Sequence, residues 1–301
     1  MPKNDYLCTL LYNIIRYMRR LLTLLLTALV MTNCTAQQQR GEEGDPYAAE
    51  MEAIDLQGEA IMKEYRMLIQ KDPKAEKMRT KKRINQLADM LDSLSELQLQ
   101  RIKEIIRDNQ NNLIPVPYIS AAYYEFDYDD LKAALNPKAA YYNHPRLNKA
   151  RIRLAGCEKR APGTMYKDMV MKDTEGNDVS LSQWVGKGNY VLIDFWASWC
   201  RSCLQEMPNV VRNYIKYHPK GFEIVGVSLD ERPEIWKRAA RLTYQTWPQI
   251  SDLKGWKSDV VPLYGVTSIP CNMLIDPQGK IIAIDLHRKG LGDKLKEIYG
   301  E

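Results

Sequence analysis

The stretch YVLIDFWASWCRSCLQEMP, residues 190–208, sets the main question of this sequence. It opens with YVLIDFW, a continuous apolar run that is typical of a buried strand. The residues from Ser202 onward, SCLQEMPNVVRNYIKYH, have the pattern of a helix. Cys200 and Cys203 therefore lie where a strand ends and a helix begins. Cysteines at this spacing fit a redox pair, a structural disulfide or half of a metal site.

The position of the pair favours redox chemistry. Free N–H groups and the helix dipole stabilise a thiolate at a helix N-terminus, so we expect the pKa of the Cys200 thiol to lie below ~8.5. Arg201 adds a positive charge next to it. Trp196 and Trp199 are expected to shield the surroundings of the pair from water.

The other two interpretations have less support. A structural zinc site usually takes two more ligands from a second closely spaced Cys or His pair, which this sequence lacks. His144, His218 and His287 are isolated, and we expect them to be lightly packed or at the surface. A disulfide that closes so small a ring restrains the unfolded chain little and stabilises weakly. We therefore expect no bound metal and no cofactor.

Strand and helix signals alternate on both sides of the opening stretch. Strands are predicted in DMVMKDTEGNDVSL (168–181), FEIVGVSLD (222–230) and CNMLIDPQGKIIAIDL (271–286), and helices in RPEIWKRAARLTY (232–244) and GDKLKEIYG (292–300). Such alternation is typical of an α/β domain with a mixed sheet flanked by helices. We assign this domain to residues 161–301.

Residues 47–160 have a different pattern, which predicts an all-helical domain. Apolar side chains recur at helical spacing from Tyr47 to Leu68 and again from Ile84 to Ile105, and we expect the two helices to pack as an antiparallel hairpin. Shorter helical segments follow from Pro115. The tyrosines of this helical domain are expected mainly in its core. The domain is also a candidate for dimerisation or substrate docking.

The N-terminus has the features of a signal peptide. In MRRLLTLLLTALVMTNCTA, residues 18–36, two arginines precede an apolar stretch that is too short to span a bilayer permanently. We assign residues 1–36 to the signal peptide and 37–46 to a polar linker. Because Met18 stands where such a peptide normally begins, residues 1–17 are a candidate mis-start of the reading frame.

Export predicts an oxidising compartment, the periplasm, for the mature chain. Cleavage after Ala36 would release a soluble protein, and cleavage before Cys34 would leave a lipid anchor there. Asn33 is a poor residue ahead of a lipidated cysteine, so we favour the soluble form. The net charge of +5 is small and gives no sign of nucleic-acid binding.

Three segments resemble a known family. DFWASWCRSC is similar to the active-site segment of thioredoxin-like proteins, and WCxxC followed by LQEMP resembles the exported TlpA/ResA group of thiol–disulfide oxidoreductases, which is related to the AhpC/TSA proteins. FEIVGVSLDE resembles the next strand of that group, and YGVTSIPCNMLIDPQGKII resembles its cis-proline loop and closing hairpin. The resemblance covers about residues 161–301. It implies a thioredoxin fold and places the cis-proline of the family at Pro270.

Two carboxylates accompany the cysteine pair. Asp194 interrupts the apolar strand and matches the buried acid of thioredoxins, while Glu206 follows Cys203 on the same helical face and matches an acid of the TlpA/ResA group. Burial should raise the pKa of Asp194 and suit it to accept a proton from Cys203. For Glu206, a solvated helix residue is the alternative.

The resemblance implies a dithiol reductase or exchange enzyme. Cys200 attacks a substrate disulfide and Cys203 resolves the mixed disulfide. The backbone of Ile269, beside Pro270, is expected to pair with an extended substrate segment, and Trp199 is a further substrate contact. The expected partners are disulfides or dithiols of exported proteins and an upstream electron donor such as a membrane thiol-reductase.

Some residues depart from the family pattern. Arg-Ser stands between the cysteines, where many members have a residue followed by proline, which leaves the redox potential open. Cys271 replaces the usual threonine after Pro270, and we expect it to be a small buried hydrophobe. Cys157 has no evident partner in the sequence.

Two other functions compete with this interpretation. A peroxiredoxin-like thiol peroxidase would need a PxxxTxxC frame, but Ile193 and Ala197 occupy the proline and threonine positions before Cys200. A binding module could use the helical domain to capture a partner, with the thioredoxin fold as a scaffold.

Overall fold

The computed structural model describes residues 44–71 and 78–300 of the 301-residue chain. The signal peptide predicted over residues 1–36, including Met18 and Cys34, lies outside the described residues, and so does most of the predicted linker. Within the described ranges, no helix is both long enough and apolar enough to cross a membrane. The chain divides into two compact units, which we call the N-terminal unit (to Arg151) and the C-terminal unit (from Ile152).

The N-terminal unit is helical. Its helices are α1 (Ala48–Lys71), α2 (Met78–Asp108), α3 (Pro115–Ala122), α4 (Tyr128–Ala134) and α5 (Asn148–Glu158), within which the division between the units falls. Ion pairs join Arg83 to Glu64 and Arg101 to Glu50. The start of α2 therefore lies beside the end of α1, and the end of α2 lies beside the start of α1. The predicted antiparallel hairpin is therefore confirmed. The domain bounds 47–160 and 161–301 stay a prediction.

The C-terminal unit is built on a seven-stranded mixed sheet in the order β2-β1-β5-β4-β3-β6-β7. The strands are β1 (Val170–Asp173), β2 (Asp178–Ser180), β3 (Tyr190–Trp196), β4 (Phe222–Ser228), β5 (Gln249–Ser251), β6 (Cys271–Ile275) and β7 (Ile281–Ile284). The helices are α6 (Arg201–Tyr217), α7 (Pro233–Leu242), α8 (Val260–Tyr264) and α9 (Lys289–Tyr299). The predicted α/β class with a mixed sheet is confirmed, and so is the helical N-terminal region.

The central strand β3 explains the apolar run of the sequence. It pairs in parallel with β4 and antiparallel with β6, and every residue after Tyr190 is buried. A strand covered on both faces needs apolar side chains at nearly every position, which removes the alternation of a half-exposed strand. Asp194 is the one charged residue in β3, and it is 5% exposed.

The parallel pair β3 and β4 defines the edge of the sheet where the cysteines lie. Sites in open α/β sheets form beyond the carboxyl ends of parallel strands. The turn after β3 leads directly into α6, and Leu229, just after β4, donates its N–H to the Trp196 carbonyl at 2.9 Å. The antiparallel strand β6 begins opposite Phe195, so the loop before it lies at the same edge.

Candidate active site

Cys200 and Cys203 form a disulfide at the N-terminus of α6, with their Cα atoms 5.3 Å apart. Cys200 is the N-cap residue of the helix, in an extended backbone conformation, and its Sγ accepts a hydrogen bond from the Cys203 N–H at 3.1 Å. The Ser202 hydroxyl oxygen lies 3.4 Å from the same sulfur. A sulfur in this position takes the place of a capping oxygen, so a negative charge on it would be stabilised by the amides of the first turn.

Asp194 lies in β3 and Glu206 in α6, the helix that follows β3, and the two carboxyl groups interact electrostatically. Burial, with a smaller contribution from the negative charge of Glu206, raises the pKa of Asp194 to about 7. A carboxyl group with that pKa can both hold and release a proton near neutral pH. The direction of the shift is the one that the sequence predicts for a buried acid in this strand.

Glu206 is buried rather than solvated, so the alternative considered for it is wrong. The residue is 7% exposed, and its Oε1 accepts hydrogen bonds from the Arg288 N–H at 2.7 Å and from the Asn209 side-chain amide at 2.8 Å. Asn209 also donates to the Arg288 carbonyl at 2.8 Å. Arg288 is the N-cap of α9. The carboxylate thus joins α6 to the start of α9 while its charge acts on Asp194.

The Ile269–Pro270 peptide bond is cis, as the resemblance implies. Cys271 pairs with Phe195 in the antiparallel register of β6 and β3, so the two residues before it lie level with the turn that carries the cysteines. Ile269 and Pro270 are both half-buried. The structure therefore brings the predicted proline loop to the same edge of the sheet as Cys200.

The two tryptophans of the motif occupy different environments. Trp196 is fully buried, and its indole N–H donates to the Gln249 side chain at 3.0 Å. Trp199 is 54% exposed. Of the two, Trp196 is packed inside the sheet layer, whereas Trp199 is available to a substrate.

A buried ion-pair network, which the sequence did not reveal, lies in the same unit. The Arg160 guanidinium contacts both carboxylate oxygens of Asp285, at 3.0 and 3.1 Å, and its other terminal nitrogen donates to the carbonyls of Tyr264 and Gly265. Arg153 reaches the same carboxylate at 3.3 Å. Arg160 thus connects the segment after α5 to the residues that lead into the proline loop.

The two free cysteines of the described chain are both buried. Cys157 forms no disulfide, which agrees with the lack of an evident partner in the sequence, and its Sγ lies 3.8 Å from the Asp285 carboxylate and 3.7 Å from Arg160. Cys271 is 3% exposed, as expected for a small buried hydrophobe. Burial raises the pKa of both thiols, which keeps them protonated and poorly nucleophilic. Among residues 44–71 and 78–300, no group of three or more His, Cys, Asp or Glu side chains is arranged to hold a metal ion.

Comparisons with known proteins place the C-terminal part of the chain beside thiol–disulfide oxidoreductases. Residues 162–284 match the AhpC/TSA family. The chain is 34% identical over 125 residues to the thiol–disulfide oxidoreductase ResA of Bacillus thuringiensis subsp. konkukian (strain 97-27), covering 42% of this chain and 69% of that protein. The ResA protein of Bacillus subtilis (strain 168) is 30% identical over 130 residues, covering 43% of this chain and 70% of that protein.

Solved structures are also similar. The crystal structure of the thioredoxin domain of a thiol–disulfide oxidoreductase from Bacteroides vulgatus is 36% identical, covers 46% of this chain and 97% of that chain, and has a TM-score of 0.43. The fold, the cysteine pair and the curated relatives together define a thioredoxin-like thiol–disulfide oxidoreductase. More narrowly, the chain belongs to the TlpA/ResA-like proteins of the thioredoxin superfamily.

Proposed function

We propose that this protein is a periplasmic thiol–disulfide oxidoreductase that reduces or exchanges disulfides in exported proteins through the Cys200–Cys203 couple. The observation that carries the proposal is the cap geometry of Cys200, whose sulfur accepts the Cys203 N–H at 3.1 Å at the start of α6. In the reduced protein the same N–H would stabilise the Cys200 thiolate, which is the nucleophilic form of cysteine.

The first step is attack of the Cys200 thiolate on a substrate disulfide. The substrate S–S bond breaks, a bond forms between Cys200 and one substrate sulfur, and the other substrate sulfur leaves as a thiolate. Cys200 is 6% exposed, so the substrate must bring its disulfide to the edge of the sheet. Ile269 and Pro270 lie at that edge, and we assign to the Ile269 backbone the pairing with an extended substrate segment.

The second step is attack by Cys203 on the Cys200 sulfur of the mixed disulfide. Cys203 is 1% exposed and must lose its proton first. We assign the acceptor role to the Asp194 carboxylate, whose pKa of about 7 suits proton transfer at neutral pH. The step releases the second substrate thiolate and leaves Cys200–Cys203 oxidised, so two electrons pass from the protein dithiol to the substrate.

Glu206 takes part through its charge and position. Its carboxylate interacts electrostatically with Asp194 and is held by Asn209 and the Arg288 N–H. A negative charge fixed near Asp194 makes that acid a better proton acceptor than burial alone would, because both effects disfavour its ionised form. We therefore keep Glu206 in the proposed catalytic set.

The cycle needs a reductant to restore the dithiol. In an oxidising compartment this is an upstream dithiol donor, for which a membrane thiol-reductase is the expected class. The helical N-terminal unit remains a candidate for substrate docking or dimerisation. Cell fractionation tests the location, since a protein recovered with the cytoplasmic fraction would contradict the periplasmic part of the proposal.

A trapping experiment tests the chemistry. Cys203→Ser should retain the attacking sulfur but lack the resolving one, and should accumulate mixed disulfides that run as covalent adducts on a non-reducing gel. Cys200→Ser is the matched control and should trap nothing. In an insulin-reduction assay with a chemical reductant, the native protein should be active and both variants should fail. Adducts of equal amount on the two variants, or none on either, would contradict the proposed roles.

A further inference from the structure

Two exposed tryptophans lie in contact beside the disulfide. Trp199 directly precedes Cys200, and Trp256 lies in the 3₁₀ turn Gly255–Lys257 that follows β5. Their ring centroids are 6.3 Å apart with an interplanar angle of 48°, and they are 54% and 45% exposed. Single exposed apolar residues are common on protein surfaces, but a contiguous aromatic patch next to a reactive sulfur is a feature of binding surfaces.

One loop after β4 contacts both of the turns that carry the tryptophans. The Asp230 carboxylate accepts the backbone N–H of Ser198 at 2.9 Å and also its hydroxyl, which fixes the turn immediately before Trp199. Asp230 itself is held by the Ser228 hydroxyl at 2.7 Å. The hydrogen bonds between Asp230 and Ser198 therefore depend on Ser228, the last residue of β4.

The next residue of that loop lies against the turn that carries Trp256. Glu231 packs against Gly255, so closely that a Cβ added to Gly255 would lie 2.6 Å from the Glu231 carboxylate, and Gly255 has φ of 58°. Glycine tolerates both the close approach and the left-handed conformation. Adjacent residues of one loop, Asp230 and Glu231, thus contact the two turns that carry Trp199 and Trp256.

We propose that Trp256 and Trp199 together bind an apolar or aromatic side chain next to the cysteine of a polypeptide substrate. This inference rests on the proposed function and names the substrate class: polypeptide disulfides with aromatic neighbours, as opposed to small hydrophilic disulfides. Aromatic rings associate in offset or edge-to-face arrangements, and both indoles are exposed enough to accept a third ring. Because the two rings already contact each other without a substrate, less conformational entropy is lost when a substrate ring joins them.

The preference can be measured with two mixed disulfides of glutathione. Each carries the same eight-residue peptide, with the cysteine flanked by phenylalanine in one and by glycine in the other. The reduced protein is mixed with each, quenched with acid and separated by chromatography. The variants are Trp256→Ala, Trp256→Phe and, as a control at a distant exposed aromatic, Tyr244→Ala, since Tyr244 is 73% exposed.

The native protein should react faster with the phenylalanine peptide by roughly three- to tenfold, the range that one aromatic contact supplies. Trp256→Ala should lose this preference by slowing the reaction with the phenylalanine peptide, whereas Trp256→Phe and Tyr244→Ala should keep it. A preference that survives Trp256→Ala, or an equal loss with both peptides, would overturn the inference alone. If the native dithiol reduced neither peptide, the proposed function would fail and the inference with it.

Discussion

Asp194 and Asp285 are aspartates of the same unit with opposite electrostatic behaviour. Burial and the neighbouring Glu206 charge raise the pKa of Asp194 to about 7. For Asp285, burial also acts to raise the pKa, but the electrostatic effects of Arg160, His287 and Arg153 outweigh it and the pKa is lowered. Similar burial thus gives one acid that can change its protonation near neutral pH and one that stays ionised.

The difference shows how the fold separates reactive from structural charge. Removing a carboxylate from water disfavours its charged form, and only a close opposite charge reverses that effect. Asp285 has two guanidinium groups within 3.3 Å, while the charged neighbour that acts on Asp194 is another acid. We therefore expect the ionised Asp285 carboxylate to stabilise the folded state and the ionised Asp194 carboxylate, which proton transfer requires, to destabilise it.

The largest effect should come from breaking the Asp285 network. Asp285→Asn leaves the Arg160 guanidinium, which is 2% exposed, without its opposite charge, and we expect the free energy of unfolding to fall by about 3–5 kcal/mol. Urea unfolding monitored by circular dichroism measures the change. Asp259→Asn is the control, because its ion pair with Lys254 is solvent-exposed and should be worth less than about 1 kcal/mol. Equal effects of the two substitutions would contradict a structural role for the Asp285 pair.

The second prediction concerns the opposite pH dependence of the two acids. For Asp194 the pKa in the folded state lies above the unfolded value of 3.8. Between about pH 4 and 7 the folded state therefore keeps a proton that the unfolded state has lost. The free energy of unfolding falls as pH rises through that window. Above it, Asp194→Asn should stabilise the oxidised protein by up to about 4 kcal/mol, at 1.36 kcal/mol for each pKa unit. Below pH 4 the substitution should be neutral.

Urea unfolding at a series of pH values, with the disulfide intact, tests this sign. For Asp285 the pKa in the folded state is lowered below the unfolded value. Its contribution to the free energy of unfolding is therefore fully present above the unfolded pKa and is lost as pH falls through the folded pKa. The control is Asp293→Asn, an exposed carboxylate that should leave the pH profile unchanged. An Asp194→Asn profile parallel to that of the native protein would show that Asp194 is ionised throughout.

The third prediction concerns catalysis by the same acid. Asp194→Asn removes the proposed acceptor of the Cys203 proton, so resolution of a preformed mixed disulfide should slow by about 100-fold at neutral pH, while the first attack by Cys200 stays close to the native rate. The native resolution rate should rise as pH increases through about 7, where Asp194 becomes a carboxylate, and the variant should lack this rise. Rapid mixing and acid quench separate the two steps. A slowing of both steps by the same factor would argue against the assigned role.

The sequence predicted those parts of the site that depend on local patterns. β3 was predictable because residues 190–196 form an apolar run, and Asp194, as the charged residue within it, was recognisable as a buried acid. The Cys200–Cys203 spacing at a strand-to-helix transition likewise needs no tertiary information. β5 was not predicted, because Gln249–Ser251 is only three residues long and two of them are polar.

The remainder of the site depends on contacts between distant positions. Arg160 and Asp285 are 125 residues apart, and neither lies in a periodic pattern that would mark it as buried. The contact between Trp199 and Trp256 has the same origin, since the two residues are far apart in the sequence and meet only in the folded chain. Glu206 is intermediate: its helical face was predictable, but its bond to the Arg288 N–H was not.

The smallest predicted effect distinguishes the two functions of Glu206. Glu206→Gln keeps an oxygen that can accept the Arg288 N–H but removes the negative charge, so the fold should lose only about 1 kcal/mol, the size of an ordinary hydrogen-bond difference. The same change removes a charge that raises the pKa of Asp194, so the pH at which resolution accelerates should move to a lower value. Glu206→Ala removes both the bond and the charge and should lose more stability with the same shift of the profile. If the resolution profile of Glu206→Gln stayed in place, Glu206 would act on the start of α9 alone, and Asp194 would owe its raised pKa entirely to burial.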